Sequence, residues 1–178
     1  MYIILSPKLK ISNYRKLLII KELTGYNADI FFLQELDKIF FEKALHPIFD
    51  HQGYGTNFLC KNQMVEGLVI LYRKSKFSFI KSENHSFFEL LVNCDIFSTL
   101  KQKLNANLYD RISKLKNNFQ IILLKSLLME NKLVLVCNLH LYSKDDADHI
   151  RLIQSFICFK YIESLLPQIN QQVNSWNN

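Results

Sequence analysis

Glycine and proline are scarce in this sequence, with four Gly and three Pro among 178 residues. Hydrophobic residues make up 49% of the chain and charged residues 21%, which is typical of a globular domain and excludes a disordered chain. No Gly-rich phosphate loop occurs, and the lack of a G-x-S-x-G or Cys-His signature argues against covalent acyl chemistry. The four cysteines form no C-x-x-C pair, so the spacing of a zinc site is absent.

Long apolar runs are also absent. No run approaches the roughly 18 residues that a membrane-spanning helix needs. The opening "MYIILS" is too short for the apolar core of a signal peptide, and no transit-like Arg/Ser segment precedes it. We therefore predict an intracellular protein with reduced thiols. The formal net charge of +6 favours anionic partners such as nucleic acid or a membrane surface, although many soluble proteins are mildly basic.

The pattern of apolar residues predicts strands that alternate with helices. The runs "ADIFFLQEL" (28–36) and "KLVLVCNLH" (132–140) predict buried strands, and "DADHIRLIQSFICFKYIESLL" (146–166) predicts a long helix. This order predicts an α/β domain over residues 1–166 with one mixed sheet and flanking helices, followed by a frayed polar tail over 167–178. Helices on one side of a single sheet would leave its other apolar face uncovered.

Polar side chains end two of the predicted strands. Glu35 sits at the carboxyl end of its strand, where open α/β sheets bind ligands, and a lone carboxylate there suits Mg²⁺. Asn138 and His140 end the later strand on one face. A histidine beside such a metal can contact a phosphate or donate a proton to a leaving oxygen, and an Asn can orient the phosphate. The structural alternative, polar residues satisfied within the core, fits the same spacing.

A basic cluster lies at "YRKSKF", residues 72–77. Arg73 and Lys74 are candidate substrate-binding residues because they can contact phosphates, and the flanking Tyr72 and Phe77 could stack a base. A solvated turn between two strands with packed aromatic residues is the alternative.

Four segments resemble the endonuclease/exonuclease/phosphatase superfamily. The segment "KELTGYNADIFFLQELD" is similar to its "NADIICLQEVD"-type segment, and "VCNLHLY" is similar to its "N-T-H-L" strand end. The segments "EGLVILYRKSKF" and "ADHIRLIQ" look like the branch of the 2′,5′-phosphodiesterase and mitochondrial poly(A) 3′–5′ exoribonuclease, near the deadenylases and nocturnin. The four occur in the family's order, and the resemblance runs from about residue 14 to residue 166.

This resemblance implies a fold, a cofactor and a substrate. The fold would be part of a four-layered α/β sandwich. Glu35 would bind Mg²⁺, His140 would be the catalytic or phosphate-contacting histidine, and Asn138 would be its neighbour. The activity would be Mg²⁺-dependent hydrolysis of poly(A) RNA or 2′,5′-oligoadenylate, as in deadenylation, and the family's compartment would be the mitochondrial matrix.

The sequence departs from the family pattern in what it lacks. The family also uses an Asn on an upstream strand, a "G-D-F-N" segment and a final Asp-His pair, and these do not occur here. We therefore expect a truncated chain that is inactive alone and binds Mg²⁺ weakly, with a complementing C-terminal half as a possible partner. The alternatives are a non-catalytic RNA-binding or interaction remnant and another phosphatase of the same superfamily.

Overall fold

The fold was obtained as a computed structural model that describes residues 13–60 and 66–174, so "MYIILS" lies outside the described residues. The helices are α1 (Asn13–Tyr26), α2 (Lys38–Phe40), α3 (His46–His51), α4 (Phe87–Asn93), α5 (Ser98–Lys103), α6 (Ala106–Ser113) and α7 (Asp148–Asn174). A π-helical stretch, Phe41–Leu45, joins α2 to α3, and a 3₁₀ turn, Asp95–Phe97, precedes α5. The strands are β1 (Ile30–Asp37), β2 (Tyr54–Cys60), β3 (Glu66–Arg73), β4 (Phe77–Ser86), β5 (Asn118–Ser126) and β6 (Leu133–Leu139).

The described strands form two separate antiparallel sheets. The first sheet has the order β1-β3-β2 and the second has the order β4-β5-β6. The prediction of one mixed sheet is therefore wrong, because β3 and the following β4 belong to different sheets. The α/β class is confirmed.

The two sheets cover each other. Ile70 of the first sheet packs with Ile122, Leu124 and Val136 of the second in one buried cluster. Strands buried on both faces read as near-continuous apolar runs, which explains the composition of β3 and β5. The expected uncovered sheet face is therefore not observed, since the partner of each inner face is the other sheet.

Helices cover the two outer faces. The outer face of the first sheet packs on α1, α2 and α3 around Leu23, Phe40 and Phe49. The outer face of the second sheet packs on α4 to α7 around Phe87 and Ile157. The layers are therefore helix, sheet, sheet and helix, which agrees with the four-layered sandwich implied by the family resemblance.

A charged cluster ties α7 to the second sheet. The carboxylate of Glu83 on β4 accepts hydrogen bonds from Lys81, from His85 and from the hydroxyl of Tyr161 on α7 at 2.7 to 3.1 Å. Burial alone would raise the pKa of Glu83, but these hydrogen bonds outweigh it and lower the pKa to about 2.

Helix α7 continues beyond the residues predicted to be helical. It passes through Pro167 and ends at Asn174, so residues 167–174 are helical and the predicted frayed tail is wrong for them. In the described part of the chain no helix is long and apolar enough to span a bilayer.

Candidate functional site

Glu35 has an unusual backbone conformation at the end of β1. Its φ is 53°, in the left-handed region that non-glycine residues rarely adopt. The pairing of β1 with β3 shifts register between Leu33 and Leu36, so Glu35 lies within a β-bulge. Bulges next to active sites redirect a side chain out of the strand's alternation, and strained residues cluster at functional sites. The bulge is therefore a local reason for the direction of the Glu35 carboxylate.

His140 follows directly after β6 at the same rim of the sandwich. The Nδ2 of Asn117 donates a hydrogen bond to the His140 carbonyl oxygen at 2.9 Å. The His140 Nε2 lies 3.6 Å from Oε1 of Glu35, and both side chains are about a quarter exposed. The two candidate site residues therefore meet at one rim, but they come from different sheets and not from the single sheet that was predicted.

A small cavity of about 60 Å³ opens beside this pair. It is lined by Glu35, Leu59, Glu66, Gly67, Leu68, Asn118 and His140. The sequence analysis missed Glu66 and Asn118 as site residues. Glu66 opens β3 and pairs with Asp37 across the first sheet, so only the strand register could have placed it at the site.

Gly67 of β3 lets the backbone of β2 approach closely beside the cavity. A Cβ atom at this position would lie 2.3 Å from the carbonyl oxygen of Leu59 and 2.8 Å from the ring of Phe58. Because a backbone atom would have to move, any side chain at residue 67 would push β2 away from β3 at the rim.

The donors at the rim suit a hard cation only in part. Glu35 and Glu66 supply carboxylate oxygens and Asn118 an amide oxygen, the ligand type that Mg²⁺ prefers. Among residues 13–60 and 66–174, however, no group of three or more His, Cys, Asp and Glu side chains is arranged to hold a metal ion. Three oxygen donors therefore line the cavity without forming a complete cation site among the described residues.

Asn138 lies deeper than His140, between the two sheets. It is 2% exposed, and its Nδ2 donates to the carbonyl oxygens of Leu33 at 3.0 Å and Val69 at 3.1 Å. These bonds join β6 to both β1 and β3. The predicted contact of Asn138 with phosphate would require its amide to leave them, so the structure gives Asn138 a part in sheet packing.

Arg73 and Lys74 are not brought to this site. Arg73 lies six positions after Gly67 on β3, which is about 20 Å at roughly 3.4 Å per residue. The Arg73 guanidinium donates to Asp29, to the hydroxyl of Tyr54 and to Asn27, whose φ is 47°. Lys74 forms an exposed ion pair with Asp50. Both residues therefore lie at the opposite end of the first sheet from the cavity. Their contact with substrate phosphates stays a prediction.

Comparisons with known proteins agree with this architecture, although no protein-family model matches the chain. Human 2′,5′-phosphodiesterase 12 is 36% identical over 152 residues, covering 84% of this chain and 25% of the human protein. A probable CCR4-Not complex 3′-5′-exoribonuclease subunit Ccr4 from Enterocytozoon bieneusi is 26% identical over 85% of this chain and 32% of that protein.

Solved structures share the fold. The human Nocturnin catalytic domain matches with a TM-score of 0.66 at 18% identity, over 86% of this chain and 52% of that chain. ANGEL2, described as a 2′,3′-cyclic phosphatase, matches with a TM-score of 0.64 at 21% identity, over 83% of this chain and 37% of that one.

The chain belongs to the endonuclease/exonuclease/phosphatase superfamily. The chain spans about a quarter of the length of the 2′,5′-phosphodiesterase 12 relatives that it matches. In this superfamily member the two sheets meet at a rim where Glu35 and His140 come together.

Proposed function

We propose that this chain is part of a Mg²⁺-dependent phosphodiesterase domain that hydrolyses RNA. One observation carries the proposal: a left-handed glutamate in a β-bulge lies 3.6 Å from a histidine of the opposite sheet, beside a cavity with a second carboxylate. The similarity to 2′,5′-phosphodiesterase 12 and Ccr4 supports the same class of reaction.

The residues at the rim have separate chemical roles in this proposal. Glu35 and Glu66 would hold Mg²⁺ together with water and phosphate oxygens. When bound, the ion supplies charge stabilisation at the phosphate and lowers the pKa of a coordinated water. His140 contacts the scissile phosphate or donates a proton to the leaving oxygen, and its Nε2 lies 3.6 Å from the Glu35 carboxylate. The 60 Å³ cavity would admit only a small part of a substrate, such as phosphate oxygens.

The substrate that we propose is the 3′ end of poly(A) RNA or a 2′,5′-oligoadenylate. The name of one relative refers to a 2′,5′-phosphodiester, and the name of the other refers to a 3′-5′ exoribonuclease reaction. The net charge of +6 favours such a polyanion. By the same resemblance, the mitochondrial matrix is the compartment that we propose.

We expect the chain alone to be inactive and to need a complementing polypeptide. The ligand set at the rim is partial, and the "G-D-F-N" and final Asp-His segments of the family pattern are absent. Within the described residues, β1 and β6 are edge strands, and a groove of about 660 Å³ lies between them. Added strands could extend both sheets there and bring the missing groups to the rim.

Two other functions remain as candidates. A non-catalytic RNA-binding remnant is favoured by the basic pI of about 9.1 and would bind RNA without a metal, in a salt-sensitive way. Another phosphatase of the superfamily would fit the fold shared with ANGEL2. The RNA-binding remnant differs from the phosphodiesterase in needing no metal. The phosphatase differs from it in the phosphate linkage that it hydrolyses.

The test measures metal binding and turnover in the same preparations. The purified chain is titrated with Mn²⁺ and Mg²⁺ and then incubated with labelled 3′,5′- and 2′,5′-oligoadenylate, with AMP release as the readout. Glu35→Gln is the test variant, and Glu163→Gln on the exposed face of α7 is the matched control. We expect weak metal binding that is lost only in Glu35→Gln, and no AMP release above background.

Each unexpected outcome rejects a named part of the proposal. Equal metal binding by both variants would reject the role of Glu35. Turnover that disappears in Glu35→Gln would show that the chain is active alone. Metal-independent RNA binding without metal binding would favour the remnant.

A further inference from the structure

The segment that follows His140 is irregular and is held by α7. Residues 140–147 lie between β6 and α7 and contain no strand or helix. Such a segment has no ladder of backbone hydrogen bonds, so side chains or water supply the partners for its backbone groups. Two residues of the "ADHIRLIQ" segment, Arg151 and Gln154, supply them here.

Gln154 binds the backbone two residues beyond His140. Its Oε1 accepts a hydrogen bond from the Tyr142 backbone N–H at 2.9 Å, and the residue is 1% exposed. Because Gln154 is buried, water cannot take its place in this bond at little cost.

Arg151 binds the same segment from the preceding turn of α7. Its guanidinium donates to the carbonyl oxygens of Tyr142 at 3.1 Å and Lys144 at 2.6 Å. It also pairs with Asp148, which lies one turn earlier on the helix and orients the guanidinium. A planar guanidinium can serve several carbonyl groups at once, which a lysine ammonium on a flexible stem does poorly.

These contacts fix the backbone from the His140 carbonyl group to Tyr142. Asn117 holds the His140 carbonyl oxygen, and α7 holds both backbone groups of Tyr142. The three-residue spacing of Arg151 and Gln154 puts both side chains on the face of α7 that meets the segment.

We infer that Gln154 and Arg151 are positioning residues that set the His140 imidazole against Glu35. The inference rests on the proposed function, because it assigns these residues to the site where His140 would meet the phosphate. Neither residue lines the cavity, so they act through the backbone at residues 140–144.

The experiment measures how strongly His140 senses Glu35, without metal or RNA. The NMR ring signals of His140 are recorded with and without Glu35→Gln, in the full chain and in three backgrounds: Gln154→Leu, Gln154→Glu and Arg151→Lys. Gln168→Leu, an exposed glutamine of the same helix, is the matched control. Hydrogen exchange of the Tyr142 amide and the melting temperature are measured in each protein.

We expect Glu35→Gln to shift the His140 ring signals in the parent chain and in Gln168→Leu. The shift should fall at least about twofold in Gln154→Leu and in Arg151→Lys, because a looser segment averages the 3.6 Å contact over longer distances. Gln154→Glu keeps an acceptor oxygen and should restore the shift. Exchange of the Tyr142 amide should rise about tenfold in Gln154→Leu, as expected for one lost buried hydrogen bond.

A lower melting temperature with an unchanged response of His140 to Glu35→Gln would overturn the inference, since it would leave these residues a purely structural role. If Gln154→Leu does not fold, Arg151→Lys decides the question. The metal and RNA assays test the proposed function separately, so their failure together with the expected NMR result would reject that function and leave the positioning intact.

Discussion

Replacing Glu35 by glycine should stabilise the protein relative to replacement by alanine, because the backbone here has a φ of 53°. An L-residue in the left-handed region costs about 1–2 kcal/mol, and glycine avoids most of this cost. Glycine in a strand otherwise costs about 0.5–1 kcal/mol relative to alanine. The difference leaves Glu35→Gly more stable than Glu35→Ala by about 0.5–1 kcal/mol, which corresponds to a few degrees in melting temperature for a chain of this size.

The assay is thermal and urea unfolding of Glu35→Gly and Glu35→Ala, followed by circular dichroism. Ser78, an exposed residue of β4, provides the matched pair Ser78→Gly and Ser78→Ala, for which alanine should be the more stable. The order of stability should therefore reverse between residue 35 and residue 78. If alanine is the more stable residue at both positions, the backbone of Glu35 is not strained and the bulge gives no indication of function.

Two further predictions concern polar groups with several hydrogen-bond partners. Asn138→Ala should lower the free energy of unfolding by about 1–3 kcal/mol, because the carbonyl oxygens of Leu33 and Val69 lose their donor. Urea titrations measure this loss, and a value below about 0.5 kcal/mol would contradict the prediction. Glu83 contributes stability above its ordinary pKa of 4.5 that is lost as the pH falls towards the folded value of about 2. The stability difference between the parent and Glu83→Gln, on the order of 1 kcal/mol after solvent screening, should therefore shrink between pH 4.5 and 2. Parallel acid unfolding curves of the two proteins would refute it.

The strand ends were predictable from the sequence because they depend on local pattern. The runs before Glu35 and His140 are apolar and each ends on a polar residue, so both were predicted as candidate site residues at strand ends. How far each polar side chain lies from the rim of the sandwich was not predictable from the sequence. Asn138 and His140 share a face, as the period of two requires, but Asn138 is inside the sandwich and His140 is one residue past the end of β6.

The pairing of the strands could not be predicted, because it depends on contacts between residues that are far apart in the sequence. Strands β3 and β4 are separated by a short polar turn, which resembles a hairpin, yet β4 pairs with β5 more than thirty residues later in the chain. Strand β2 was not predicted, because Gly55, Thr56 and Asn57 interrupt its apolar pattern. Glu66 was missed as a site residue because its place at the rim follows only from the register of β3 against β1.

The two members of the candidate pair belong to different sheets, so their separation reports on how the sheets slide over each other. A shear of one sheet by a single ångström would change the 3.6 Å contact between Glu35 and His140 without altering any residue at the rim. Substitutions at the inter-sheet residues Ile70 or Ile122 could therefore tune the reactivity of a site that they never touch. Evolution could adjust such a site from its interior, and a screen limited to rim residues would overlook those variants.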